Sequence, residues 1–212
     1  MIIKGKKVNF LGDSITEGVG VSAPDKKYVE VFARKFEPLL VRNYGISGTR
    51  IARQHTPYQW PQADRDFCMR APEMDPDADI VVVFGGTNDY GHGDAPLGTF
   101  EDRTPDTFYG ACHTLMRSLI ERYPTAEIVF MTPLHRANEK RDGWQWILSD
   151  YVRAIREVAE YYALPVLDLY ATSGIQPKNE VNRKTYAPDG LHPNDAGAER
   201  IADRLGAFLL SL

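Results

Sequence analysis

The stretch DIVVVFGGTNDY, residues 79–90, decides the fold class. It begins with an almost unbroken apolar run that two glycines close. A strand with one wet face alternates apolar and polar residues. A continuous run instead marks a parallel strand covered on both faces. Similar strand-like runs lie on either side: VNFL (8–11), LLVRNY (39–44), EIVFMTPL (127–134) and LPVLDLY (164–170). Helical patterns fall between them. Tyr28 to Phe36 is short. Thr107 to Arg122 places Phe108, Cys112, Leu115, Leu119 and Ile120 on one face. Trp144 to Tyr162 repeats apolar positions at Ile147, Tyr151, Ile155, Val158 and Tyr162. Pro193 to Leu210 aligns Ile201, Leu205 and Phe208. Strands alternating with helices imply an α/β fold with a parallel sheet and right-handed crossovers. About five doubly wound strands are expected, with any site at their carboxyl ends.

The chain has 212 residues, no repeat and no linker-like tract, so one domain over 1–212 is expected. A formal charge of −4 gives no reason to expect a polyanionic partner, and nucleic-acid binding is not expected. Cys68 and Cys112 read as reduced thiols, and no Cys/His spacing points to a metal site. No run of about 18 apolar residues occurs, so no membrane insertion is expected. The opening MIIKGKKVNF has no long apolar core and no small-residue cleavage site, which favours a cytoplasmic protein. Oligomeric state is not legible. Two connections are long: about 50–77, with Tyr58 and Trp60, and about 90–106, rich in Gly, Asp and Pro. Such loops at one end of a sheet often build a substrate site.

The first strand delivers the cluster GDSITEGVG, residues 12–20. Two readings compete. The spacing lacks both the P-loop and the GxGxxG fingerprints. A flavin-type phosphate loop stays open, since hydroxyls at a helix start can hold an anion. Alternatively Ser14 is a nucleophile, which needs a base, an orienting group and oxyanion donors. Other strand ends hold such groups. NYGISGTR (43–50) offers Gly48, whose N–H can approach a ligand. GGTNDY (85–90) offers the Asn88 amide. YAPDGLHPNDAG (186–197) holds Asp189 and His192 three apart in one turn, which lets a single loop carry base and orienter. Alone, each has a plainer role as turn glycine, turn asparagine or exposed histidine.

Together these four blocks, GDS, the Gly48 loop, GTND and DGLHP, resemble those of the SGNH hydrolases, also called the GDSL esterase and lipase family. They follow the family's order from Gly12 to Pro193. The G-x-S-x-G elbow of α/β-hydrolases is absent. The resemblance implies a three-layer α/β/α sandwich of flavodoxin-like appearance. It also implies ester hydrolysis through an acyl-enzyme with no metal and no organic cofactor. By position, Ser14 is then the nucleophile, His192 the general base and acid, and Asp189 its orienter. The Ser14 and Gly48 N–H groups and the Asn88 side chain become oxyanion donors, and Asp13 and Asp89 brace their loops.

The family covers lipid, thioester, aryl and acetylated-sugar substrates. A small-molecule ester is the expected partner. The polar, aromatic loops favour small acyl esters, above all acetyl esters of a carbohydrate. The alternatives are a lysophospholipase or thioesterase with a longer acyl pocket, and a flavodoxin-like ligand-binding module. Candidate substrate contacts are Arg50, Trp60, Tyr90, His135 and Arg136, although surface salt bridging is the plainer role for both arginines. Trp144 and Trp146 are expected to flank a helix start and to point to opposite sides.

Overall fold

A computed structural model describes residues 1–212. Its strands are β1 (Lys7–Gly12), β2 (Leu40–Gly45), β3 (Ile80–Phe84), β4 (Glu127–Met131) and β5 (Val166–Leu167). The helices are α1 (Ser14–Glu17), α2 (Tyr28–Phe36), α3 (Phe67–Arg70), α4 (Thr87–His92), α5 (Phe108–Arg122), α6 (Leu148–Tyr161), α7 (Leu169–Thr172), α8 (Glu180–Tyr186) and α9 (Asp195–Ser211). All strand pairs are parallel, in the order β2-β1-β3-β4-β5.

The continuous apolar run of β3 has the expected cause. Ile80, Val82 and Phe84 enter a core shared with Val29 and Phe32 of α2 and Ile201 and Leu205 of α9. Val81 and Val83 enter a second core with Leu115 and Leu119 of α5 and Ile155 and Val158 of α6. The sheet is therefore the middle of three layers. Burying each of these side chains contributes about 1.5–3 kcal/mol, so both helical layers are held chiefly by apolar area.

The order also positions the site. The chain runs outward from β1 to β2, then returns across β1 to β3. Loops after β1 and β3 leave the sheet side by side but depart in opposite directions, which opens a crevice at their carboxyl ends. Short polar caps start two of the helices there. Asp13 accepts from the Ile15 N–H at 3.0 Å, and Asn194 from Gly197 at 3.1 Å.

Three expectations need correction. LPVLDLY is not a seven-residue strand; only Val166 and Leu167 pair with β4. Asp168 ends the strand, because its carboxylate accepts the Ala171 N–H and starts α7. The helix expected from Trp144 begins at Leu148, where Asp150 accepts the Ile147 N–H. Trp144 and Trp146 therefore precede it and do not diverge. Their rings meet edge to face with centroids 5.2 Å apart, and the Trp144 indole donates to the Tyr151 hydroxyl. Both cysteines are free thiols.

Candidate active site

The structure brings Ser14, His192 and Asp189 together. Ser14 opens α1 immediately after the Asp13 cap and is only 6% exposed. Its Oγ lies 3.0 Å from His192 Nε2. The other ring nitrogen, Nδ1, is 2.7 Å from Asp189 Oδ2. With Nδ1–H donating to that carboxylate, Nε2 presents its lone pair to the Ser14 hydroxyl. Asp189 Oδ1 also accepts the backbone N–H groups of Leu191 (2.8 Å) and His192 (2.7 Å). Burial alone would raise the Asp189 pKa. The hydrogen bond from the His192 ring and the two backbone N–H donors outweigh it and hold the carboxyl below its ordinary range.

Two further predicted groups follow β2 and β3, at the same edge of the parallel sheet as Ser14. Gly48 has φ +78°, a left-handed backbone that favours glycine. Its N–H meets no backbone acceptor, and the Ser14 N–H lies outside the helical ladder because α1 starts there. Asn88, 5% exposed, donates from Nδ2 to the Thr49 carbonyl at 3.0 Å. That bond fixes which end of the amide is the donor and uses only one of its two N–H groups.

A buried polar network locks these loops together, and its centre escaped sequence reasoning. Arg70, 4% exposed, donates to the Gly12 carbonyl (2.9 Å), the Tyr44 carbonyl (2.7 Å), the Thr49 hydroxyl (3.0 Å) and the Arg65 carbonyl (3.0 Å). It thus ties the ends of β1 and β2 to the Gly48 loop. Glu17 accepts the Ser47 N–H at 2.6 Å. Asp89 accepts Ile51 N–H (3.0 Å) and Ala52 N–H (2.8 Å). Burial pushes Asp13 up to about 7 and Asp89 up to about 6. No motif announces Arg70, a lone arginine in a long connection. Only its tertiary partners reveal it.

The candidate substrate contacts separate into groups. Arg50 is not on the surface. It is 1% exposed, pairs with Asp64 at 2.8 Å and donates to His92 Nδ1 at 3.0 Å, pinning the 50–64 connection to α4. His135 is engaged elsewhere: Nδ1 lies 2.6 Å from Glu139, and its ring rests on Tyr170. Trp60 is 60% exposed and borders a cavity of about 350 Å³ with Glu17, Ile46, Ser47 and Ala63. Tyr90 is buried against Tyr151, with the half-buried Arg136 above its ring. Arg136 forms no salt bridge; it donates to the Thr87 carbonyl at 2.9 Å. Tyr90 and Arg136 line a second cavity of about 320 Å³. No group of three or more His, Cys, Asp or Glu side chains is gathered as a metal-binding set, and no helix is long and apolar enough to cross a membrane.

This arrangement suits proton transfer from Ser14 to His192 beside unspent N–H donors, and known proteins share its frame. An acetylxylan esterase of Xylanibacter ruminicola is 25% identical over 220 residues, covering 96% of this chain and 43% of that protein. The chain thus spans less than half the length of that relative. A GDSL lipase of Mycobacterium tuberculosis is 25% identical over 206 residues, covering 95% of this chain and 80% of that protein. A crystal structure of a Lactobacillus plantarum protein superposes with a TM-score of 0.86 at 33% identity, covering 99% of this chain and 98% of that one. The family model described as GDSL-like Lipase/Acylhydrolase matches residues 10–200, an interval that includes Ser14, Gly48, Asn88, Asp189 and His192. With β2 to β5, the end of β1 and every one of those loops inside the match, the chain belongs to the GDSL-like lipase/acylhydrolase family.

Proposed function

We propose that the protein is a serine ester hydrolase that works through an acyl-enzyme on small acyl esters, above all acetyl esters of a carbohydrate. The observation that carries this reading is the line Ser14 Oγ–His192 Nε2–Asp189, with separations of 3.0 and 2.7 Å. His192 Nε2 takes the Ser14 proton as Oγ attacks the ester carbonyl. The carbonyl oxygen gains the negative charge and is held by the Ser14 N–H, the Gly48 N–H and the Asn88 amide. His192 then returns the proton to the leaving alcohol as the C–O bond breaks. Water next gives a proton to the same imidazole and attacks the acyl-enzyme. That proton finally restores the Ser14 hydroxyl as the acid departs.

Asp189 keeps the imidazole in the productive tautomer and stabilises it when charged. Its low pKa suits that task, because the carboxylate stays ionised as the imidazolium forms. Two observations support the acyl and sugar preferences. Exposed Trp60 stands beside Ser47 and thus next to Gly48, where an indole face can receive a sugar ring. The acetylxylan esterase relative agrees with an acetyl substrate.

The test is hydrolysis of p-nitrophenyl acetate, butyrate and octanoate by wild type and Ser14→Ala, with acetate release from acetylated xylo-oligosaccharides alongside. The expected result is a loss of at least about 10³-fold in the variant and a preference for acetate. Equal rates in the two proteins would overturn the role of Ser14. Octanoate far above acetate, with acetylated sugars inert, would replace the deacetylase with a lipase or thioesterase.

A further inference from the structure

The second cavity, about 320 Å³, is lined by Tyr90, Gly91, Arg136, Asn138, Lys140, Arg141 and Asp142. It adjoins the candidate site on two sides. Arg136 donates to the carbonyl of Thr87, the residue before Asn88. The Ala137 N–H donates to the carbonyl of Gly190 at 2.8 Å, and Gly190 follows Asp189. The segment carrying the cations is therefore bonded to the loops of both the Asn88 amide and the His192–Asp189 pair.

Its charge is unbalanced. Arg136, Lys140 and Arg141 make no salt bridge with any carboxylate of the protein. Arg136 spends one nitrogen on Thr87, and Arg141 spends one on the Gly93 and Tyr90 carbonyls. Glu139, the acid on the same segment, is occupied by His135, Lys178 and Tyr170. Among the residues lining the cavity, the exposed Asp142 is the one acid, while Asp13, Asp189 and Glu139 act on Arg136 from outside the lining. Nearby His92 feels the same field: burial, then Arg50, Arg136 and Arg141, push it down to about 4, so it adds no positive charge of its own at neutral pH. These guanidinium groups have carbonyls and aromatic rings as partners but no carboxylate in salt-bridge contact, so part of the solvation lost on half-burial is not replaced by an opposite charge. A ligand oxyanion supplies that charge, and guanidinium forks match carboxylate and phosphate oxygens.

We propose that this cavity receives an anionic group of the ester substrate, so that the preferred substrate is an acetylated acidic sugar, carrying a carboxylate or a phosphate, rather than a neutral one. The inference rests on the proposed esterase reading. It adds a substrate class to it. Arg136 and Arg141, half-buried, and the exposed Lys140 supply the charge from the cavity lining. Nothing in it alters the acyl-transfer steps; it selects the alcohol portion.

The test compares kcat/KM for three acetylated monosaccharides that differ in charge: a methyl glucuronide, a methyl glucoside and a methyl glucoside 6-phosphate. Wild type is expected to favour one anionic substrate over the glucoside by about tenfold or more. The preference should shrink between 50 and 500 mM salt, roughly the range over which screening shortens to a few Å. Arg136→Gln and Lys140→Glu should each reduce the anionic-to-neutral ratio at least threefold. That ratio is internal to each protein, so a variant of lower folded content still reports it. Preference for glucuronide or for phosphate identifies the source of the oxyanion. A glucoside hydrolysed as well as both anionic substrates would overturn the inference while leaving the esterase reading intact. Should no acetylated sugar turn over, NMR titration of Ser14→Ala with methyl glucuronide, methyl glucoside 6-phosphate and methyl glucoside decides independently of activity. Selective binding of either anionic sugar upholds the cavity assignment, and its absence for both refutes it.

Discussion

Replacing Arg70 with methionine tests whether the site depends on the buried network behind it. Methionine keeps an unbranched apolar stem but removes the charge and all donors. The guanidinium makes hydrogen bonds of 2.7–3.0 Å to the Gly12, Tyr44 and Arg65 carbonyls and the Thr49 hydroxyl. Charge-assisted bonds contribute about 1.5–3 kcal/mol each, but those sharing one side chain do not add. Two terms reduce the loss. The Gly12 carbonyl also accepts the Ile46 N–H, so it is not orphaned. The guanidinium itself is desolvated, which lowers its pKa to about 10, and methionine escapes that penalty. A net loss of about 3 kcal/mol follows. For a chain of this length that lowers Tm by about 6–12 °C.

The activity readout separates positioning from general damage. Arg70 has its donors directed at strand ends and the Gly48 loop, so it acts through Ser14, Gly48 and Asn88. At 25 °C the folded variant should lose about 10- to 100-fold in kcat on p-nitrophenyl acetate, through misplaced groups, with KM little changed. Arg70→Lys retains a charge and one or two donors, and should recover part of both losses. Melting by circular dichroism and steady-state kinetics on the same samples provide the check. A Tm within about 2 °C of wild type together with kcat within twofold would refute the reasoning.

Other perturbations address single links. Asn88→Ala should lower kcat about 10²–10³-fold, because the proposed mechanism loses one oxyanion donor; an unchanged kcat would take the amide out of the mechanism. Asp189→Asn should cost about 10⁴-fold in kcat, since an amide can donate to Nδ1 and favour the wrong tautomer, and steady-state kinetics would show it. Asp13 predicts a pH effect on stability. Burial, partly opposed by the Ile15 N–H and by Arg70, raises its folded pKa from 3.8 to about 7. The folded state then binds a proton that the unfolded chain has released, so this group's contribution falls as pH rises from about 4 to about 7. Urea unfolding across that window should show Asp13→Asn gaining on wild type as pH rises; parallel curves would contradict it.

Sequence legibility followed how many physical meanings a pattern could have. The apolar run at 80–84 has one compatible placement, a strand buried on both faces, and both cores use it. The amphipathic stretch from Tyr28 to Phe36 is helical over that very span, because its buried face is set by local spacing. The parallel α/β fold and the family were legible for the same reason, each resting on several concordant segments. Local end-effects were harder. Asp168 and Asp150 decide where β5 stops and α6 starts, yet from spacing alone either residue reads as ordinary surface. Arginines were hardest. Arg50, Arg70 and Arg136 differ only in their partners: a carboxylate and an imidazole, four backbone and hydroxyl acceptors, or the carbonyl and hydroxyl of one threonine beside a tyrosine ring. A one-dimensional pattern holds no record of which of these a long side chain reaches.

That division has a consequence for how such a fold changes its substrate. Asp13, Ser14 and Asn88 sit at strand ends or helix starts, buried and hydrogen-bonded into the sheet's edge. Replacing one perturbs both chemistry and packing, because Arg70 and Thr49 couple the loops. Trp60 and Lys140 lie on long connections, exposed, and neither side chain donates a hydrogen bond to the rest of the protein. Substitution there costs little folding free energy, as is typical of exposed positions free of special contacts. In the proposed reading, acyl transfer and alcohol recognition are thus carried by parts with different stability costs. Changes in the sugar recognised should therefore appear first at positions such as Trp60 and Lys140, while the Arg70 network stays as it is. The proposed acidic-sugar subsite draws on both kinds of position: Arg136 is anchored to Thr87, whereas Lys140 is free to vary. Lys140→Glu should accordingly shift substrate charge preference with little effect on Tm, whereas Arg136→Gln shifts both.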